Sequence, residues 1–591
     1  ALAPVADGLP RQLGHFDVTD DNVLRPHGVG TLPDAVIDFG DVIESWAVGE
    51  IAVTVSSVLH HDGATYASTL PAIAAFDRRR PLSDDEIAAL WPLVVLRGVV
   101  LVLSGRQQVR LDDANDYASG ALDREFEILR RAAAVPLEVA TARIRHALGR
   151  PSADAAAWAG PAILPAGIHP VVLDATTLSP LSDEGAWLDA DAVESAAQHL
   201  LDGGADAVVL PALVPVLLGA PSRTPEEPAT VPTAASVWFA RPTRLELPGG
   251  ALSVRVGDGI PNSSAEVPAR TRVCVLLTTL DPADIPDAVR PSDLPGWRAV
   301  IGDATPALGV STPAAAPDDL LERREAVVAE VQEHYYSRPP RIERGWREYL
   351  VGVDGRVYLD MVNNVASVGH AHPRIHAAVS RQTRLLNTNS RFHYAAITEY
   401  GERLAALLPD ELDTVFFVNS GSEAVDLAIR LAMAATSRQD IVAMAEAYHG
   451  WTYASDAVST SIADNPNALE TRPDWVHTVD AANSYRGRHR GPDATRYAPE
   501  AVERIRALAA EGHAPAGFLS ETFYGNAGGV ALPDGYLREV YAAVRELGGL
   551  AIADEVQVGF GRLGSWFWGF RQQGVVPDIV AVAKSIGAGF P

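Results

Sequence analysis

The most constraining feature of this chain is a regular alternation of short apolar runs with helical stretches in its C-terminal half. From TVFFVN the sequence passes to EAVDLAIRLAMAAT, then through DIVAMAEA, EAVERIRALAAEG, GFLSE, GYLREVYAAVRELGG and LAIADEV to DIVAVAK. Strands this short and this apolar, separated by helices, imply a mainly parallel sheet covered on both faces. Such a sheet collects ligands at the carboxyl ends of its strands. The pattern becomes regular at Leu320, where DDLLERREAVVAEVQEHYY reads as an amphipathic helix.

The preceding half is built differently, and 591 residues are too many for one core. Residues 1–150 read as strands and turns followed by helices. EIAALWPLVVLRGVVLVLSGRQQ has the continuous apolar middle of a buried helix, and DREFEILRRAAAVPLEVATARIRHALG is helical with a break at Pro136. Residues 151–315 are rich in Pro, Ala, Gly, Ser and Thr, as in APSRTPEEPATVPTAAS. There SVWFARPTRLELPGGALSVRVGDGI reads as short strands with a turn at Pro248-Gly249-Gly250. STPAAAPDD reads as a linker into a third domain, residues 316–591. The architecture expected is α/β and multidomain.

A net charge of −27 repels phosphate backbones and anionic lipid, which argues against nucleic acid and membrane surfaces as partners. Arg486, Arg488 and Arg490 read as a solvated loop. No apolar run reads as long enough to span a bilayer, and no secretory signal opens the chain. The single cysteine, Cys274, excludes an intramolecular disulfide and fits a reducing cytoplasm.

Several residues at strand ends carry chemistry. Lys584 closes DIVAVAK, where burial lowers an amine's pKa and makes it nucleophilic. Asp554 closes LAIAD and offers a carboxylate at the same sheet edge. VFFVNSGSEAVDLAIRLA reads as strand, turn and helix, so the N–H groups of Gly421, Ser422 and Glu423 point from a helix N-terminus, which favours an anion. Tyr448 in AYHGW offers a ring for stacking, Glu521 closes GFLSE, and Val556 follows Asp554. An amine, a carboxylate, anion donors and a flat clamp are what a protein must supply to pyridoxal phosphate (PLP).

In order and spacing these motifs resemble the class III aminotransferases of the fold-type I PLP family, continuously from about Arg341 to Pro591. The likeness includes DGRVYLDMVNNVASVGHAHPRI, NTNSRF, ETFYGNAGGVALPDGY, IADEVQVGFGRLG and PDIVAVAKSIGAGFP. The resemblance implies that Lys584 carries PLP, Asp554 pairs with the ring nitrogen, Gly421 and Ser422 hold phosphate, Tyr448 stacks, and Gln557 lies near the ring oxygen. Glu521 and Val556 complete the ring's surroundings. It also implies a homodimer acting on a small amine or amino acid with an oxo-acid acceptor. Within the family, NNVASVGHAHP, LLNTNSRF and DEVQVGFGR look like the ethanolamine-phosphate and phosphohydroxylysine phospho-lyases and the alanine–glyoxylate type. Those lyases expel phosphate from an O-phosphorylated amino alcohol and need no acceptor.

Near the start, LGHFDVTDDNVL and AVIDFGDV set His15, Asp17 and Asn22 in the spacing H-x-D-x₄-N, with Asp38 opening Asp-Phe-Gly. This resembles the C-lobe of the aminoglycoside phosphotransferase and hydroxylysine-kinase family. The likeness implies Asp17 as the catalytic base, with Asn22 and Asp38 on Mg²⁺ beside ATP in an intact kinase domain. The middle region, through LPGWRAVIGDATPALG, faintly resembles a degenerate peptidase-like module. It has no histidine between His199 and His334, so no zinc site is expected there. The chain opens without Met and closes on Phe590-Pro591, which reads as a fragment lacking a kinase N-lobe and a C-terminal small domain. On that reading, the chain acting only as a non-catalytic scaffold is the remaining alternative.

Overall fold

The structure is a computed structural model that describes residues 2–24, 33, 35–111, 116–219, 229–247, 252–256, 264–313, 319–332, 334–388 and 391–590. The Pro248-Gly249-Gly250 turn, and parts of the 220–236, STPAAAPDD and NTNSRF stretches, lie outside the described residues. The chain separates into two compact units, Ala1–Gly345 with Leu350–Tyr358, and Trp346–Tyr349 with Leu359–Pro591.

In the first unit, helices Ala47–Val58, Asp84–Leu111, Asp116–Ala133 and Leu137–Ala147 share a core around Val48, Ile87, Trp91 and Val94. Trp91 is fully buried and donates its indole N–H to the Ala132 carbonyl at 3.1 Å. Asp84–Leu111 is long and apolar enough to cross a membrane by length and composition, contrary to the expectation from the sequence. Arg97 is the only charge between Glu86 and Arg106, so the run is in effect continuous. Its Trp91 face packs on neighbouring helices as a core helix does.

The same unit holds a mixed sheet in the order Leu252–Val256, Val273–Thr278, Ala235–Phe239, Ala207–Leu210 and Pro170–Val172, with Ile301–Gly302 pairing Val273–Thr278. Alternate residues of Ala207–Leu210 enter different cores: Ala207 and Val209 one, Val208 and Leu210 the other. That two-sided burial is why ADAVVL carries no polar alternation.

The second unit is built on five parallel strands: β1 (Ile441–Met444), β2 (Val476–Val479), β3 (Gly517–Glu521), β4 (Leu550–Asp554) and β5 (Ile579–Ala581), in the spatial order β2-β1-β3-β4-β5. Helix α1 (Gly421–Thr436) covers one face, meeting Ile441, Ala443, Leu519 and Ile552. Helices α2 (Tyr497–Ala510) and α3 (Tyr536–Glu546) cover the other, meeting Val442, Met444, Phe518 and Ala551. Odd and even strand positions thus feed separate cores, as the apolar runs require.

Three local expectations fail. Among its described residues, DDLLERREAVVAEVQEHYY is α-helical only over Leu320–Glu325, and Val327 and Val331 are 83% and 82% exposed. Its apolar stripe meets no core, and an isolated helix of that length is marginal in water. TVFFVN is not a strand: Phe416 and Phe417 are exposed, and no strand pairs with this segment among the described residues. Propensity alone cannot form a strand without a neighbour to take its backbone hydrogen bonds. DIVAVAK leaves the sheet at Ala581, three residues before Lys584, which opens a 3₁₀ turn with φ of 50°. Arg488 lies in a loop and is 60% exposed, as expected, and it pairs there with Asp480 at 2.8 Å and also with Glu500.

Candidate active site

The sheet order decides where a site forms. The chain runs outward from β1 to β2, then returns to the other side of β1 with β3, so the connections diverge between β1 and β3. In parallel sheets such a divergence is where ligands bind, at the carboxyl edge. The register sets Glu521 opposite Asp554, and Asp554 opposite Ala581, so the ends of β3, β4 and β5 are level. The chain leaving β1 closes over them: the Tyr448 N–H donates to Glu521 Oε1 at 3.2 Å, and the Tyr524 hydroxyl to the Ala445 carbonyl at 2.8 Å.

Asp554 is buried, with 4% of its surface exposed. Its Oδ2 accepts from His449 Nδ1 at 2.7 Å and its Oδ1 from the Val556 N–H at 3.0 Å. His449 is also buried, and its Nε2 has no partner among the described residues. Sequence reasoning passed over His449, although it lies beside Tyr448 in the AYHGW motif. Burial raises the Glu521 carboxyl above its usual range. His449 opposes that shift, Asp554 adds to it, and the N–H bonds from Gly525 and Tyr448 oppose it.

Burial also lowers the Lys584 amine below its ordinary pKa. Asp554 and Glu521 pull it back up, and Arg562 depresses it further. Lys584 follows Ala581, the register partner of Asp554, by three residues, so the amine and Asp554 lie at the same sheet edge. Around it Ser585 Oγ meets Ser367 Oγ at 2.5 Å, and Arg562 donates to the Asn364 carbonyl at 2.9 Å. Asn364 Nδ2 in turn donates to Gln557 Oε1 at 3.0 Å, which fixes the predicted Gln557.

Gly421 and Ser422 begin α1, whose N-cap is Ser420: its hydroxyl accepts from the Glu423 N–H at 3.1 Å. The capping role therefore falls to Ser420, leaving Ser422 free for another. A Cβ at Gly421 would lie 3.0 Å from a Val556 methyl and 3.3 Å from Ala583 Cβ, so α1 approaches the chain beyond β4 and β5 at this one bare position. Gly450, at φ +130°, lets the AYHGW loop touch Ser422, and the Trp451 N–H donates to Ser422 Oγ at 3.3 Å.

The predicted residues of this half thus converge on one carboxyl edge. They fit PLP: an amine of depressed pKa, a buried carboxylate fixed by a histidine with one unpartnered nitrogen, and a helix N-terminus with a hydroxyl for a phosphate. A second buried acid, Glu555, was also missed. Burial pushes it up to about 7, while the Thr522 hydroxyl and the Gly569 and Phe570 N–H groups all donate to it.

The family profile described as aminotransferase class-III matches residues 332–591. Over these residues the chain is similar to the class III aminotransferases. The segment is similar to the alanine–glyoxylate aminotransferase 2-like protein of Drosophila melanogaster, at 41% identity over 275 residues, covering 46% of this chain and 56% of the relative. It is also similar to ethanolamine-phosphate phospho-lyase homolog 1 of Caenorhabditis elegans, at 33% identity over 303 residues, covering 49% and 64%. A solved phospholyase from Arthrobacter, in complex with phosphoethanolamine, matches at 33% identity with a TM-score of 0.43, covering 46% and 64%. The chain therefore spans between about half and two thirds of the length of these relatives.

The other predicted residues lie in the first unit. Asn22 Nδ2 donates to both the carbonyl and Oδ2 of Asp17, at 2.9 and 2.8 Å, and Arg97 donates to Asp17 Oδ1 at 3.1 Å. The short pairing of Val23 with Val36 sets Asn22 against Ile37, whose N–H donates to the Asn22 carbonyl at 3.0 Å, one residue from Asp38. Asp38 is left-handed, with φ of 61°, and His15 Nε2 meets the Ile37 carbonyl at 2.9 Å. His15, Asp17, Asn22 and Asp38 are thus gathered at one end of a hairpin.

Proposed function

We propose that the second unit serves a PLP-dependent aminotransferase that moves an amino group from a small amine or amino acid to an oxo acid. The observation that carries this reading is the placement of Lys584 and Asp554 at one sheet edge, with Gly421 and Ser422 at a helix N-terminus that packs on Val556 and Ala583. PLP, when bound, supplies an aldehyde and an electron-withdrawing ring. Lys584 would hold that aldehyde, yield it to the substrate amine, and then take the proton from the substrate α-carbon. Its depressed pKa leaves more of the amine unprotonated for both tasks. Asp554, fixed by His449, would keep the ring nitrogen protonated, and the α1 N-terminus would anchor the phosphate. Supplying PLP and recording the visible absorbance of the lysine adduct tests this. Wild type should show the band and Lys584→Ala should not. A wild type without it would leave the scaffold reading standing.

A second reading is favoured by the gathering of Asp17, Asn22 and Asp38 in the first unit. One half would phosphorylate an amino alcohol with ATP and Mg²⁺, and the other would expel that phosphate. Asp17 would accept the hydroxyl proton, and Asn22 and Asp38 would hold the metal. Two assays with phosphoethanolamine separate the readings: phosphate release without any oxo acid favours the lyase, and no release there, with amine transfer once pyruvate is added, favours the aminotransferase.

A further inference from the structure

Away from the sheet edge, two groups of histidine and aspartate bring three possible ligand atoms together among the described residues. They differ in spacing. At Asp440, His477 Nε2 and His513 Nδ1 lie 2.7 and 3.0 Å from the same Oδ1, which are hydrogen-bond lengths. That group is complete as two N–H donors on one carboxylate oxygen.

At Asp20, the Nε2 atoms of His60 and His61 stand 3.4 and 3.3 Å from Oδ2. A charge-assisted N–H···O bond is about 2.7–2.9 Å. Ligands at about 2.0–2.1 Å around a tetrahedral ion are instead about 3.3–3.4 Å apart. The Asp20 distances thus match the edge of a coordination tetrahedron better than a hydrogen bond. The two imidazoles are neighbours in sequence, with centroids 4.1 Å apart, just beyond the helix Ala47–Val58. Asp20 opens the 3₁₀ turn Asp20–Asn22.

We propose that Asp20, His60 and His61 bind a divalent transition ion of the zinc type, with water as the fourth ligand. Two imidazoles and one carboxylate suit zinc, nickel or copper rather than magnesium or calcium. The ion would staple the Asp20–Asn22 turn, and with it Asn22, to the end of the helix. His60 Nδ1 is buried without a partner among the described residues, so its N–H lacks the usual outer acceptor. Such partners are worth about 10–100-fold in affinity, which makes this a weaker site than a fully supported one.

Cobalt(II) is the probe, titrated into the full chain and followed by the visible absorption of a four-coordinate ion, with zinc as competitor. One site is expected, weakened tenfold or more in Asp20→Asn and in His61→Gln, and unchanged in His477→Gln. His61 is 56% exposed, so its replacement leaves the core intact. Zinc should raise the thermal midpoint of wild type but not of Asp20→Asn. The proposal is overturned by no cobalt band and no zinc shift at 100-fold molar excess, by a band that survives both substitutions, or by its loss in His477→Gln.

Discussion

At the scale of single residues, the site depends on acids that burial makes costly. Asp554 is affordable because His449 bonds it at 2.7 Å inside the protein. His449→Ala should lower stability by about 2–3 kcal/mol, the worth of a hydrogen bond to a charged group with some lost packing. It should also weaken PLP retention, which dialysis followed by absorbance would reveal; unchanged retention would remove its positioning role. Glu555 gives a pH-dependent case. Its folded pKa of about 7 lies above its ordinary 4.5, so it binds a proton more tightly folded than unfolded. Its contribution is therefore fullest below about pH 4.5, declines as pH rises toward 7, and is flat above that. Glu555→Gln should abolish this decline, so denaturant midpoints at pH 5 and pH 8 should differ less in the variant than in wild type. Lys584 and Asp554 could be singled out in the sequence because their motifs resemble those of the class III aminotransferases, although Lys584 lies three residues past its strand. His449 was not, because its partner lies 105 residues away and only the strand register brings them together.

At the scale of elements, backbone contacts determine how close the AYHGW loop comes to α1. Gly450 has φ +130°, and a Cβ there would fall 2.8 Å from the Ser422 Cα, a backbone atom that cannot yield. Gly450→Ala should therefore cost about 1–3 kcal/mol through the strained backbone alone. It should also move Ser422, so the affinity for PLP should fall more than that for a pyridine aldehyde lacking the phosphate. Equal losses would show that the loop does not govern phosphate binding. The parallel sheet was legible because two-sided burial leaves uninterrupted apolar runs. The errors lay where an element depends on a distant partner. TVFFVN has strand propensity but no ladder, and DDLLERREAVVAEVQEHYY has a helical stripe but no core. In the first unit, by contrast, pairing of Val23 with Val36 joins the two motifs carrying Asn22 and Asp38, a proximity that spacing along the chain did not guarantee.

At the scale of the whole molecule, the two units have separate cores: one around Trp91 and the mixed sheet, the other around the parallel strands. Units with their own cores need not unfold together, so a single free energy need not describe this chain. Ligands offer a way to assign the transitions. A ligand at a hundred times its dissociation constant stabilises the folded state that binds it by about 2.7 kcal/mol. The proposed PLP residues all belong to the second unit, and Asp20, His60 and His61 to the first. Scanning calorimetry should then resolve two transitions, with PLP raising one midpoint and zinc raising the other. In Lys584→Ala the PLP shift should shrink while the zinc shift persists; in Asp20→Asn the reverse should hold. A single transition moved by both ligands would mean that the units unfold as one, and the separation of their cores would carry no thermodynamic meaning.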